Sequence, residues 1–382
     1  MESFAQGAEA VKRFLGLPIS PKALQVLTEK FGRERASLRD AKVTQFEKGG
    51  LPPRHREPPG VAAVMLDGGR AQTRDSESAP GVHGPAWAET KVANLLTYTS
   101  TSFKADPQPE PPRAFLDPPK VLQLVQEMKG ARGSVDPNLK GPSRPRESES
   151  TVPKERGPKP KVRTVVATTE RAEKFGGMVA AEASERGFYR AKKKAALGDG
   201  SLWIWALVAF HFVGFQPILD FLHLLVHLHG AAQAAYRGQG KKAWGFYVKL
   251  LRLAWAGEVG KLKQLLAREA NQVGQPPKNA SDNDPRKILA NAVEYVEKNS
   301  DKMDYARYRK DGLPISSAPV ESLIKQVNHR VKGTEKFWVS EGLEAILQVR
   351  AAYLSGDDRA EKFWRERPPS RAVGRNRLRR AA

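Results

Sequence analysis

Three carboxylates, Asp67, Asp199 and Glu321, stand in contexts suited to phosphodiester chemistry. Asp67 ends an apolar run, Val61-Ala-Ala-Val-Met-Leu-Asp67-Gly-Gly, which reads as a buried strand with an acid at its tip. Asp199 holds the same position in Ala195-Ala-Leu-Gly-Asp199-Gly. Glu321 ends Leu313-Pro-Ile-Ser-Ser-Ala-Pro-Val-Glu321, where Pro319 can open the helix that carries it. Three acids from separate elements can hold two divalent cations roughly 3.5–4 Å apart, clamping the attacking and leaving oxygens of a phosphate displacement. Hard carboxylate oxygens suit Mg²⁺ better than His or Cys would.

Other polar groups surround these acids in sequence. On the helix opened by Glu321, Lys325, Asn328 and Lys332 recur on one side, with Arg330 alongside. A carboxylate with amide and cationic neighbours is what a scissile phosphate would require. In Asp220-Phe-Leu-His223 an acid at a strand end precedes an imidazole by one helical turn. Such a pair either orients a phosphate or metal-bound water, or buttresses the sheet edge. His223 and His227 share a helical face with His229 nearby, but Leu224 stands where a zinc protease needs Glu. Trp203 and Trp205 can stack an unpaired base, although aromatics in an apolar helix more often belong to a core. Gly238-Gln-Gly-Lys241 lacks the spacing of a phosphate-binding ATPase loop.

Several segments in order carry a family resemblance. Val64-Met-Leu-Asp67-Gly-Gly-Arg70, Gly81-Val-His-Gly-Pro-Ala-Trp87, Gly198-Asp199-Gly-Ser-Leu-Trp-Ile-Trp205 and Ile218-Leu-Asp220-Phe-Leu-His223 resemble a DDE-type insertion-sequence transposase. So do Asp304-Tyr-Ala-Arg-Tyr-Arg-Lys-Asp-Gly-Leu-Pro-Ile, Val320-Glu321-Ser and Arg330-Val-Lys-Gly-Thr-Glu-Lys-Phe-Trp338. The wording is most similar to the bacterial Kra-type group, relatives of the Mutator-like transposases, over residues 20–355. The resemblance implies an α/β, RNase H-like core, a mixed sheet flanked by helices, with an all-helical insertion before the third acid. It also implies a catalytic triad of Asp67, Asp199 and Glu321 binding two Mg²⁺ or Mn²⁺ ions, with Asp220 and His223 in support. Lys325, Asn328, Arg330 and Lys332 would contact DNA phosphates. The partners implied are double-stranded DNA, at transposon ends and target, and further copies of the chain in a homodimer or higher oligomer. One departure is Ser316-Ser317-Ala318, where the family commonly has Gly-Ser-Gly. A decayed, DNA-binding copy and a nuclease that cuts without joining are the alternatives.

Charge agrees with a polyanionic partner. Lys and Arg number 64 against 42 acids, a net charge of +22, which favours nucleic acid through counterion release. A merely basic protein would show the same balance. The chain contains no cysteine, so disulfide frameworks and thiolate zinc sites are excluded. No basic segment followed by an apolar core marks a signal peptide at the start. The expectation is a cytoplasmic, nucleoid-associated protein without a membrane span. Pro217, Asp220 and four histidines interrupt the long apolar stretch 202–235, which reads as helix, short strand 216–219 and helix.

The positioning elements follow from periodicity. Residues 1–48 read as a helical region with two short amphipathic helices and a Ser20-Pro21 start, a possible helix-turn-helix remnant. Ordinary packing helices would read the same way. A Pro-rich linker leads to the first part of the core, 61–237, with strands expected at 61–66, 71–74 and 91–99. Residues 130–160 are poor in apolar side chains and read as a flexible excursion. A strand at 162–167 and a helix at 171–186 resume the core. Residues 238–303 read as the helical insertion, where Lys241, Lys242, Lys249, Arg252, Lys261 and Lys263 either line a DNA groove or form a solvated face. The core returns at 304–358, and 359–382 reads as a basic disordered tail.

Overall fold

Alternate residues of the apolar run at Val61 enter two different cores. Val61, Ala63 and Met65 join one buried cluster, while Ala62, Val64 and Leu66 join a second. A strand buried on both faces needs helices on each side, which dictates a layered α/β arrangement. The computed structural model has that arrangement and describes residues 3–54, 57–74, 86–99, 102–132, 158–316, 318–331 and 337–367.

Helices α1 (Phe4–Leu15) and α2 (Pro21–Glu47) precede strands β1 (Val61–Thr73) and β2 (Ala86–Thr99). Then follow α3 (Pro118–Arg132), β3 (Lys159–Thr168), α4 (Ala172–Glu185), β4 (Lys193–Gly198), α5 (Leu202–His211), β5 (Gln216–Leu219) and α6 (Phe221–Ala235). Helices α7 (Gly240–Trp255), α8 (Val259–Val273), α9 (Pro285–Lys298), α10 (Tyr305–Lys310), α11 (Ala318–Val331), α12 (Ser340–Leu354) and α13 (Arg359–Glu366) come last. The five-stranded sheet has the order β3-β2-β1-β4-β5. Strand β2 is antiparallel to β1 and β3, while β4 is parallel to β1 and β5 to β4.

The first strands differ from expectation. Strand β1 runs unbroken to Thr73, so 71–74 is no second strand. Gly68 and Gly69, whose composition suggests a turn, lie within a long hairpin opposite Lys91 and Thr90. Cross-strand pairing overrides the local glycine signal there. The third strand of the antiparallel set is β3, on the far side of residues 133–157, which lie outside the described residues. Most of the expected excursion at 130–160 falls there.

At the N-terminus, the Ser20 side chain accepts from the Ala23 N–H and Pro21 occupies the first turn, as the Ser-Pro pair predicts. The helix so started is 27 residues long, not short. Its Gly32 lies against α12, where a Cβ would collide with the Ala345 carbonyl. One face of α2 is thus committed to packing.

The apolar stretch after Asp199 folds as helix α5, short strand β5 and helix α6, as read from the sequence. Among the described residues, no helix is long and apolar enough to cross a membrane. Ile218, Leu219, Leu224 and Leu225 instead enter the first core, together with Leu250, Leu262, Leu266, Leu289 and Val296 of α7, α8 and α9. The helical insertion therefore shares its core with the sheet.

The C-terminal expectation also needs correction. Residues 359–366 form helix α13, and Arg359 is a buried anchor rather than part of a tail. Its Nη2 donates to Glu182 Oε1 at 2.5 Å and to Asp357 Oδ2 at 2.8 Å. A buried acid on α4 recruits the cation, an effect that local charge density does not reveal. Residues 368–382 lie outside the described residues.

Candidate active site

Parallel pairing of β1 with β4 runs from Val61↔Lys193 to Met65↔Leu197, and both last residues face the first core. Side chains alternate along a strand, so the next same-face positions are Asp67 and Asp199. Both are half-buried, where the parallel pairing stops and the sheet opens. Adjacent strands lie about 4.8 Å apart, which sets the scale of their separation.

Each acid accepts a hydrogen bond from a nearby backbone N–H, Asp67 within β1 and Asp199 in the turn after β4. Asp67 Oδ1 accepts from the Gly68 N–H at 2.6 Å, and Asp199 Oδ1 accepts from the Ser201 N–H at 2.9 Å. The second bond turns the chain into α5. Gly200 has φ +97°, and a Cβ there would lie 2.7 Å from the Tyr295 ring. That ring belongs to α9, and its hydroxyl donates to the Asp199 carbonyl at 2.8 Å. The Asp-Gly pair thus reflects a left-handed turn pinned by the helical insertion.

Asp220 follows β5 and caps α6. Its Oδ2 accepts from the His223 N–H at 3.1 Å and from His223 Nδ1 at 2.6 Å. The Asp220 N–H donates to the Gly198 carbonyl at 2.9 Å, fastening the end of β5 beside Asp199. Burial alone would push the His223 imidazole down. The hydrogen bond and charge of Asp220 outweigh it, the fields of Asp67 and Asp199 add, and the result is raised to about 9. One imidazolium therefore sits within the field of three carboxylates. Of the two roles open to this pair, the geometry displays the hydrogen-bonded brace directly.

Glu321 lies in the first turn of α11, which packs across β1 and β2 through buried Leu323, Val327 and Val331. The Phe221 N–H donates to the Ile315 carbonyl at 3.0 Å, tying the approach to α11 to the start of α6. The side chains of Glu321, Lys325 and Asn328 lie outside the described set, as does Lys332 altogether. Arg330 is half-buried, its guanidinium 4.4 Å from the Phe4 ring centroid and 5.5 Å from that of Trp338. Those rings give Arg330 a packing role between α1 and the chain after α11.

The tryptophans are half-buried flanking groups. The Trp203 ring lies 3.8 Å from where a Gly68 Cβ would stand, and Lys91 Nζ is 5.9 Å from its centroid. Trp205 Nε1 donates to Asn299 Oδ1 at 2.9 Å. His227 stacks on Tyr295 with centroids 3.8 Å apart, so it serves the insertion rather than a His223–His227 pair. Of the six insertion cations, Lys263 is half-buried and the other five are exposed.

Sequence reasoning overlooked Tyr295 and Lys91. Tyr295 carries no spacing signal, because it reaches Asp199 only through the packing of α9. Lys91, buried on β2 opposite Gly68 and bonded to Glu89, was visible only as a cation breaking an apolar strand.

Among the described residues, no group of three or more His, Cys, Asp or Glu is arranged to hold a metal ion. The Glu321 side chain lies outside the described residues. The described donors, Asp67 midway along β1 rather than at a strand tip and Asp199 just past the end of β4, are carboxylates of the hard oxygen type that Mg²⁺ or Mn²⁺ accepts. Compared with known proteins, the chain matches no family model and no curated protein.

Proposed function

We propose that this chain is a DDE-type transposase, cleaving phosphodiesters at transposon ends and transferring the freed 3′-OH into target DNA. The observation that carries the reading is the same-face placement of Asp67 and Asp199 on adjacent parallel strands, with His223 under both their fields. The strand order β3-β2-β1-β4-β5, antiparallel then parallel, supports an RNase H-like core. The packing of α11 across β1 and β2 supports Glu321 as the third acid.

Asp67, Asp199 and Glu321 would hold two divalent cations. Those ions would supply an acidified water nucleophile and neutralise charge on the oxygens of the scissile phosphate. The chain's own residues prepare the site. Asp220 fixes the imidazole through Nδ1, and the protonated ring offsets part of the negative charge of the carboxylates. Tyr295 and Gly200 hold the Asp199 turn. Exposed Lys241, Lys242, Lys249, Arg252 and Lys261 suit non-specific phosphate contact along the insertion.

The test is a gel assay with duplex DNA carrying the genomic flanks of this gene, with Mg²⁺ or with EDTA. Metal-dependent nicking followed by a joined product is expected. Nicking without joining would replace transposase with nuclease, and binding without nicking would leave only a DNA-binding protein.

A further inference from the structure

A cavity of about 100 Å³ lies beside edge strand β3, among α2, α4, α12 and α13. At Gly32 the backbones of α2 and α12 nearly touch. Further along α2 the facing residues are Ala181, Ala351 and Ala352, whose short side chains leave the gap open. Val165, Val166 and Met178 complete an apolar floor. The rim is cationic, for Arg35, Arg39, Lys42 and Arg359 meet one lining carboxylate, Glu182.

Three of the rim cations are engaged. Arg39 pairs with Glu344 and Asp40, Lys42 with Glu182 and Glu185, and Arg359 with Glu182 and Asp357. Arg54 closes the network onto Glu185 and Asp357, while Arg186 donates to two carbonyls and the Thr164 hydroxyl. Six cations thus meet five carboxylates, and Arg35 is left over. Among the described residues its half-buried guanidinium makes no ion pair or hydrogen bond, and rests 5.2 Å from the Phe363 ring centroid. Burial, then the like charge of Arg359, lower its pKa, and Asp357 and Glu182 act on it only through space. An exposed arginine without a partner is ordinary. On a cavity rim beside a second buried guanidinium, its desolvation is left uncompensated.

Chemistry and size select the guest. One missing negative charge calls for a monoanion, and a guanidinium grips a carboxylate through two parallel N–H···O bonds. Bare phosphate would turn its remaining oxygens to the apolar floor, where they find no donors. An apolar body suits that floor instead. A dry cavity of about 150 Å³ holds benzene, so this smaller one takes a short aliphatic chain.

We propose that the cavity binds a small aliphatic monocarboxylate of about four carbons, its carboxylate on Arg35 and its chain against Val166, Met178 and Ala181. The site does not depend on the transposase reading.

Saturation-transfer NMR on the full chain with sodium butanoate, at pH 7 and fixed ionic strength, tests this. The butanoate methyl and methylene protons should take up saturation, with saturable binding at a Kd on the order of a millimolar. Butylammonium and 1-butanol should bind at least about tenfold more weakly, since neither offers Arg35 a negative charge. Arg35→Gln should weaken butanoate by about tenfold or more, whereas Lys298→Gln, on an exposed cation of α9, should not. Butanoate should raise the melting temperature of wild type but not of Arg35→Gln. Without butanoate the two should melt alike, because Arg35 gives up no ion pair. The proposal is overturned by absence of saturable binding, by butylammonium binding as well as butanoate, or by an Arg35→Gln variant that binds like wild type. Displacement of butanoate by an equal concentration of inorganic phosphate overturns it too. So does an Arg35→Gln variant that keeps butanoate but loses affinity for duplex DNA, since Arg35 would then be a backbone contact.

Discussion

Asp67 and Asp199 occupy the first same-face positions beyond Met65 and Leu197, the last residues that β1 and β4 pair with each other. Two interior strands remote in sequence thereby deliver like charges to one face of the sheet, where their pairing ends. Bringing carboxylates together is unfavourable unless a cation offsets them, and His223 supplies one built-in positive charge.

Asp67→Asn, Asp199→Asn and Glu321→Gln should each yield a folded, DNA-binding protein whose nicking falls by at least about a hundredfold. An amide keeps the side-chain shape but removes the charge that holds a cation. Asp220→Asn should slow nicking without abolishing it. If Asp199→Asn cuts at wild-type rate while Asp220→Asn is dead, the second metal ligand is Asp220 instead.

Stability should fall with rising pH because of His223. Its folded value, about 9, lies above the ordinary 6.5. The contribution is fully present below 6.5 and lost as pH rises through 9, on the order of 3 kcal/mol in EDTA. Urea melts at pH 6 and pH 9.5 should show that loss in wild type and a much smaller one in His223→Phe.

Glu182 should dominate the acid limb. Burial favours its neutral form, but the charges of Arg359 and Lys42, with hydrogen bonds from Arg359 and Thr164, hold its carboxyl well below 4.5. That stabilisation is complete above the ordinary carboxylate range and disappears as pH drops toward the folded value. Glu182→Gln should destabilise the fold at pH 7 by up to about 3 kcal/mol, because the largely buried Arg359 would keep Asp357 as its one remaining carboxylate in this cluster, and should flatten the acid dependence. Denaturant titrations at pH 7 and pH 3 measure both.

Two truncations separate folding from DNA contact at the C-terminus. Removing 368–382 should weaken binding to all DNA sequences alike and flatten its salt dependence, with little change in melting temperature. Removing 359–382 should in addition destabilise the fold, since it deletes Arg359 and the Arg367–Glu34 pair. An unchanged salt slope after the shorter deletion would show that the tail does not touch DNA.

What the sequence determined by itself was local. Ser20-Pro21 marked the start of α2, and the interrupted apolar stretch after Asp199 marked α5, β5 and α6. Alternation and helical periodicity marked individual strands and helices, because a side chain's facing depends only on its near neighbours, while the α/β class followed from the family resemblance. The length of β1 escaped the same logic, because pairing with β2 carried it through Gly68 and Gly69. Arg359 likewise looked like tail charge until Glu182 of α4 was placed beside it. The adjacency of Asp67 and Asp199, their combined field on the His223 imidazole, and the Tyr295 bond behind Asp199 belong to tertiary structure alone. Sheet register and helix packing join residues that no spacing along the chain relates, and electrostatic coupling follows distance in space.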